Sequence, residues 1–181
     1  SELLIKAGYS RAGFESYALP NDPLTKSMEE KKAVYNSLGT QKGEATNFIA
    51  VGSSAHGVLN DDYYFQNFYE QNLYRDAIDN GRFPIYRGMK MKRDDTIRRE
   101  VIRHIRTFFN LEFDFFEKKY QFSFKDYFKK ELKNLLSFKK DKLLQINEMN
   151  IVLTPLGEHF APQVANVFDV YNDQKFYERI V

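Results

Sequence analysis

The clearest pattern of apolar and polar positions lies between residues 94 and 108. Ile97, Val101, Ile102, Ile105 and Phe108 recur at spacings of four, one, three and three. Those intervals place them along one face of an α-helix. Asp94 and Asp95 precede the apolar positions, where negative charge complements the helix dipole. A long helix ending near Phe108 is therefore predicted. Residues 113–120 read as a second helix. Ser123 caps a third, with Phe124, Tyr127, Phe128, Leu132, Leu135 and Leu136 facing inward. Residues 143–146 and 151–154 are short apolar runs on either side of Asn147-Glu148-Met149-Asn150, a hairpin signature. Thr154-Pro155-Leu156-Gly157 opens a last helix that runs to Val170. Three helices, a hairpin and a closing helix make a winged-helix-like module.

The first part of the chain follows a different pattern. Residues 1–8 read as the end of a helix stopped by Gly8. Residues 9–18, with their aromatics and Gly13, fit a buried parallel strand. Pro20-Asn21-Asp22-Pro23 is a turn, and Ser27 with Glu30 forms a capping box for a short polar helix ending near Tyr35. Residues 37–44 are a glycine-rich loop. Residues 47–51 form a second short strand that runs into Gly52-Ser53-Ser54-Ala55-His56-Gly57. Residues 67–79 are a helix closed by Asn80-Gly81, and residues 84–91 are extended. The shift near residue 67 divides the chain into residues 1–66 and residues 67–181. The strands of the first part lack enough partners for a sheet of their own. The fold class expected is α+β, mainly helical.

Composition narrows the choice of function. The apolar fraction is 43% and the aromatic fraction 16%, with 17 Phe, 12 Tyr and no Trp, which is enough to build a core. No apolar run reaches the roughly 18 residues that a membrane span needs. Cysteine is absent, which removes disulfides, thiolate metal ligands and a cysteine nucleophile, and suits a cytoplasmic protein. The chain starts at Ser1 without an initiator Met, as a piece of a longer protein would. A net charge of +2 does not by itself point to nucleic acid.

Candidate chemistry is spread along the chain. The small residues of the 52–57 loop would let a ligand approach the backbone, and exposed amides there would hold an anion or a nucleoside. A plain turn is the alternative. His56 lies in that loop, while His104 and His159 lie far off in predicted helices, with no metal-binding spacing. Arg98 and Arg99 place two guanidinium groups on the long helix, suited to bidentate recognition of carboxylate or phosphate. Arg103 and Arg106 are expected to be solvated. Lysines 118, 119, 125, 129, 130, 133, 139, 140 and 142 gather around the third helix. Such a surface on a winged-helix module suggests DNA, but interleaved Glu117, Asp126, Glu131 and Asp141 favour a mixed, soluble face.

The ordered set of local motifs resembles a known family. Its members are Ala7-Gly8-Tyr9, Gly13-Phe14-Glu15, Tyr17-Ala18, the loop from Gly52 to Gly57, Tyr64-Phe65-Gln66-Asn67 and Arg87-Gly88. Asp94-Asp95-Thr96-Ile97-Arg98-Arg99-Glu100-Val101-Ile102, Phe109-Asn110-Leu111, Asp126-Tyr127-Phe128, Leu153-Thr154-Pro155-Leu156-Gly157 and Val167-Phe168-Asp169-Val170-Tyr171 complete it. Together they resemble the C-terminal portion of oxygen-independent coproporphyrinogen III oxidase, a radical S-adenosylmethionine enzyme of haem biosynthesis.

The resemblance implies that residues 1–66 are the last strands of an incomplete α/β barrel and residues 67–181 a helical domain covering the substrate. It implies a 4Fe-4S cluster on an upstream C-x-x-x-C-x-x-C loop, and S-adenosylmethionine as cofactor. Gly52, Ala55 and His56 would contact a second S-adenosylmethionine, with Asn36 near a family glutamine that touches it. Arg98 and Arg99 would meet the carboxylates of a tetrapyrrole substrate. No catalytic residue and no metal ligand is expected in this piece, which would be inactive alone. An electron-donor protein is the implied partner, with a monomeric state and neither membrane nor nucleic acid. Where the family has an Arg-Asn pair in the last helix, this chain has Pro162-Gln163. Two alternatives stay open: a related radical enzyme acting on or handling haem, and a winged-helix module binding nucleic acid.

Overall fold

A computed structural model describes residues 2–36, 39–43, 47–59 and 62–171. The chain forms two compact units, one made of Ser1–Gly43 with Ile97–Val181 and the other of Glu44–Thr96. The composition shift at residue 67 falls inside the second of these. Content is mixed, with short strands throughout and one long helix.

The first unit begins with α1 (Glu2–Lys6), β1 (Ser10–Arg11), β2 (Tyr17–Ala18), α2 (Pro23–Glu29), β3 (Val34–Asn36) and β4 (Gly39–Gln41). Gly8 ends α1 with a φ of 86°, as its sequence position predicts. The buried parallel strand expected over residues 9–18 is instead a tight antiparallel pair, Ser10 opposite Ala18 and Arg11 opposite Tyr17. Gly13 makes this possible at a φ of 85°. A Cβ there would lie 2.3 Å from Thr40 Oγ1, so the position is closed both by conformation and by space.

The helix that follows starts earlier than the capping box suggests. Asp22 is its cap, accepting from the Leu24 amide, and Pro23 occupies its first turn. Ser27 is buried inside α2, and its hydroxyl accepts from the Gly43 amide at 3.3 Å. Part of the glycine-rich loop is ordered as β3 and β4, paired through Val34–Gln41, Tyr35–Thr40 and Asn36–Gly39. Residues 37, 38 and 44 of that loop lie outside the described residues.

The second unit holds β5 (His56–Leu59), β6 (Tyr63–Asn67), α3 (Gln71–Asp79) and β7 (Ile85–Lys90). Its sheet has the order β5-β6-β7 and is antiparallel throughout. Residues 47–51 contribute only an isolated bridge from Phe48 to Val58, not the expected strand. The helix predicted from residue 67 begins at Gln71, because Asn67 belongs to β6. No parallel pairing occurs among the described residues.

The rest of the chain is α4 (Arg93–Phe108), β8 (Asn110–Glu112), α5 (Phe113–Tyr120), α6 (Phe124–Tyr127), α7 (Lys129–Asn134), α8 (Leu136–Lys140), β9 (Leu144–Ile146), β10 (Asn150–Leu153), a 3-10 turn (Gly157–Phe160) and α9 (Ala161–Asn166). The predicted third helix breaks into α6, α7 and α8. Tyr127 and Leu136, expected inside, are exposed. The hairpin β9–β10 is present, and β8 joins it in the order β8-β10-β9, with Ile151 between Leu111 and Ile146. The closing helix is shorter than predicted. Thr154 Oγ1 accepts from the Gly157 amide at 3.0 Å, but the turn it caps is 3-10, and α9 restarts with Pro162 in its first turn.

The core of this unit joins Ile97, Val101 and Ile105 of α4 to Leu111, Phe113, Phe116, Phe124, Phe128, Leu135, Ile151, Val164 and Phe168. Its centre is a run of rings. Phe113 stacks on Phe124 at 4.5 Å, Phe124 meets Phe128 at 4.7 Å, and Phe128 meets Phe168 edge-on at 5.2 Å. Such pairs add about 0.5–1.5 kcal/mol each beyond the area they bury.

Candidate functional site

In the second unit, the loop of residues 50–55 is shaped by a residue that local sequence pattern does not single out. Asn67, 2% exposed at the end of β6, donates its Nδ2 to the carbonyls of Ala50 at 3.4 Å and Gly52 at 3.0 Å. Its amide donates to the Ala55 carbonyl at 2.9 Å. The Gly52 amide donates to the Tyr74 hydroxyl of α3 at 3.0 Å. Ser54 donates its amide to the Phe68 carbonyl and accepts from Gln66 Nε2. A buried amide side chain that satisfies two carbonyls holds a loop far more firmly than glycine content alone would suggest.

Within this frame Gly52 adopts a φ of 103° and Ser54 a φ of 59°. Space around Gly52 is open, with no heavy atom within 4 Å of where a Cβ would sit. Beyond it, His56 opens β5 opposite Gln66 and is exposed. The next residue, Gly57, is covered by the Phe65 ring, 2.1 Å from a would-be Cβ. Three of the residues singled out from sequence, Gly52, Ala55 and His56, are therefore together on one restrained loop and the strand it enters.

The other three lie in the first unit. Asn36 ends β3 opposite Gly39 and is half-buried. Arg98 faces inward from α4. Its Nη1 donates to Glu131 at 2.8 Å and to the Phe168 carbonyl at 3.2 Å, and its guanidinium lies 5.3 Å from the Phe128 ring. Both side chains of this ion pair are nearly covered. Arg99, next along α4, is half-buried.

Arg106 is not the solvated cation its sequence suggests. Its guanidinium is 4.2 Å from the Tyr35 ring centroid and 5.7 Å from that of Phe14, and its Nε is buried without a hydrogen-bond partner. The Tyr35 hydroxyl donates to Glu15 at 2.6 Å. Burial and that carboxylate push the Tyr35 phenol up to about 12, against the opposing pull of Arg106. His104 also departs from a surface role. It sits between Phe108, Phe115 and Phe116, and burial lowers its pKa below 6.5, with nearby Glu100 pulling the other way.

The lysines of this segment are exposed as expected, but Glu131, expected on the same mixed face, is buried against Arg98. Lys125 pairs with Glu148. Among the described residues no group of three or more His, Asp or Glu side chains is arranged to hold a metal ion. No described helix is long and apolar enough to cross a membrane.

Comparison with known proteins extends this picture. Residues 91–158 match the family model for the HemN C-terminal domain. The chain is 32% identical over 172 residues to the oxygen-independent coproporphyrinogen III oxidase of Escherichia coli, covering 95% of this chain and 37% of that protein. It is 31% identical over 180 residues to the enzyme of the same name from Pseudomonas aeruginosa, covering 97% and 39%. The Helicobacter pylori relative is 30% identical over 168 residues, covering 93% and 36%. A solved structure, described as coproporphyrinogen III oxidase (HemN) from Escherichia coli, a radical SAM enzyme, superimposes with a TM-score of 0.87 at 30% identity. That match covers 94% of this chain and 39% of the other. The chain thus spans less than two-fifths of the length of these relatives. Residues 91–158 thus match the HemN C-terminal domain, and nearly the whole chain is similar in sequence and fold to part of the oxygen-independent coproporphyrinogen III oxidases.

Proposed function

We propose that this chain is the C-terminal part of an oxygen-independent coproporphyrinogen III oxidase. The full protein would convert two propionate side chains of coproporphyrinogen III to vinyl groups with loss of carbon dioxide, in the cytoplasm, giving protoporphyrinogen IX. The observation that carries this reading is the extent of the match: 93–97% of the chain aligns with enzymes of that name, with the fold preserved at a TM-score of 0.87.

The donor set of this chain does not fit a 4Fe-4S cluster, because it contains no cysteine. The cluster and the radical chemistry belong to the remainder of the protein, and this chain alone is expected to be inactive. Its own residues bind, orient and cover. Gly52, Ala55 and His56 are the proposed S-adenosylmethionine-facing residues of the second unit. The open space at Gly52 and the exposure of His56 support that role. In the first unit Asn36 is the proposed cofactor-side residue, and Arg99 a proposed partner for a substrate carboxylate. Arg98, committed to Glu131 and the Phe168 carbonyl, would orient α4 for its neighbour. Residues 1–66 would complete the edge of the upstream barrel, with residues 67–181 as the substrate-covering part. An electron-donor protein would complete the system, which we propose acts as a monomer.

The test is anaerobic turnover of the full-length gene product reconstituted with iron and sulfide. It is supplied with S-adenosylmethionine, a low-potential reductant and coproporphyrinogen III, and products are read by mass spectrometry. Loss of two carboxyl groups is the expected result. Cleavage of S-adenosylmethionine without decarboxylation would redirect the substrate to haem or another tetrapyrrole. No cleavage at all would overturn the reading.

A further inference from the structure

The buried side of α4 holds a cation that none of the proposed binding roles uses. Arg106 lies against two aromatic rings from two separate segments, Tyr35 of β3 and Phe14 of the turn after β1. Its main-chain carbonyl also accepts the Phe14 amide at 2.9 Å. The same turn supplies Glu15 to the Tyr35 hydroxyl and Ser16 to the Thr40 amide, at 2.6 Å and 3.3 Å. Thr40 is opposite Tyr35 across the β3–β4 ladder. One arginine therefore touches both β3 and the turn after β1 that binds this hairpin through Glu15 and Ser16.

Strand geometry gives the arrangement a direction. Neighbouring residues on a strand point to opposite faces. Tyr35 faces α4 and Arg106, so Asn36 is turned to the other face. Tyr35 is held by its hydroxyl's hydrogen bond to Glu15 at 2.6 Å and, across its ring face, by the Arg106 guanidinium at 4.2 Å, whose Nε has no hydrogen-bond partner. Beside the hydrogen bonds to Glu15 and Ser16, the hairpin's facing thus draws on stacking of a planar cation, a contact that an arginine makes better than a lysine and that an aliphatic side chain cannot make.

We infer that Arg106 and Tyr35 form a positioning pair that sets the face of the β3–β4 hairpin presenting Asn36 to S-adenosylmethionine. The inference rests on the cofactor-side role proposed for Asn36. Arg106 itself touches no substrate or cofactor; it acts through the hairpin.

The experiment uses the full-length reconstituted enzyme, with S-adenosylmethionine titrated anaerobically and 5′-deoxyadenosine release measured. Arg106→Leu is expected to raise KM for S-adenosylmethionine about tenfold while kcat stays within about twofold, the size of one lost partly desolvated cation–π contact. Arg106→Lys is expected to recover much of that loss, and Tyr35→Leu to reproduce it. The Arg106→Leu/Tyr35→Leu double variant should raise KM by clearly less than the product of the two single effects, since the two side chains share one contact. Melting temperature is followed in parallel. A variant with lowered melting temperature but unchanged KM in its folded fraction would make the pair merely structural and overturn the inference. If Arg106→Leu does not fold, Arg106→Lys decides, since an unchanged KM there together with an unchanged KM in Tyr35→Leu overturns it as well. A wild-type enzyme that cleaves no S-adenosylmethionine sinks the underlying reading and this inference together.

Discussion

Single residues show how much a side chain's role depends on partners far away in sequence. Arg98 was legible as a cation on a helix, but its partner Glu131 lies 33 positions on, and no local pattern joins them. Removing one member of a covered pair strands the other. Arg98→Met should cost about 3–5 kcal/mol, and Arg98→Met/Glu131→Leu should restore much of it. Urea unfolding of the single and double variants checks this, and two independent additive losses would refute it. His104 carries a pH signature. Its folded pKa lies below 6.5, so above 6.5 the ring is neutral in both states and costs nothing. As pH falls below 6.5 the unfolded chain takes the proton first, and stability is lost until the depressed folded pKa is passed. His104→Leu should therefore flatten the decline of the urea midpoint as pH falls below 6.5. An unchanged slope would exclude the ring as its source. In the sequence Asn67 is only one position of the Tyr64-Phe65-Gln66-Asn67 motif. Its grip on the 50–55 loop became visible only when β6 brought it beneath three carbonyls.

Elements were legible in proportion to their length. The periodicity of α4 needs four turns to declare itself, and its predicted bounds agree closely with Arg93–Phe108. The β9–β10 hairpin was readable from its turn residues and the apolar positions flanking them. Strands of two or three residues such as β1, β2 and β8 carry no period at all, and so the β1–β2 pair read as one continuous strand. Gly13 was the missed signal, a φ-positive residue placed where the chain reverses. At Gly157 the element scale makes its own prediction. A Cβ there would stand 1.6 Å from the Leu143 carbonyl oxygen, which is backbone just before β9. Gly157→Ala should destabilise the unit by at least about 2 kcal/mol through displacement of that strand. A thermal melt within a degree of wild type would show that β9 yields more easily than its geometry suggests.

Across the whole molecule, exposed apolar surface is concentrated in ways a free-standing protein avoids. All six residues of β7 are exposed, Ile85, Tyr86 and Met89 among them, and Phe83 beside it is 87% exposed. An uncovered apolar edge strand is a pairing hazard. If the chain is part of the longer enzyme proposed, it should bind more of a hydrophobic dye per mole than the full-length protein, and equal binding would show that the edge stays uncovered there. The resemblance announced the relatives, yet the grouping of Ser1–Gly43 with Ile97–Val181 was hidden, because sequence order cannot show which distant segments share a core. That grouping also sets a timetable. On the ribosome, Arg11 emerges 147 residues ahead of Glu158, its ion-pair partner, and Tyr35 waits for Arg106 behind the entire second unit. At about 5–20 residues per second, Arg11 waits roughly 7–30 s for that carboxylate. Residues 2–36 and 39–43 are therefore exposed to chaperones during synthesis until their α4 and C-terminal partners emerge, while Glu44–Thr96, contiguous in sequence, can begin to fold on its own schedule.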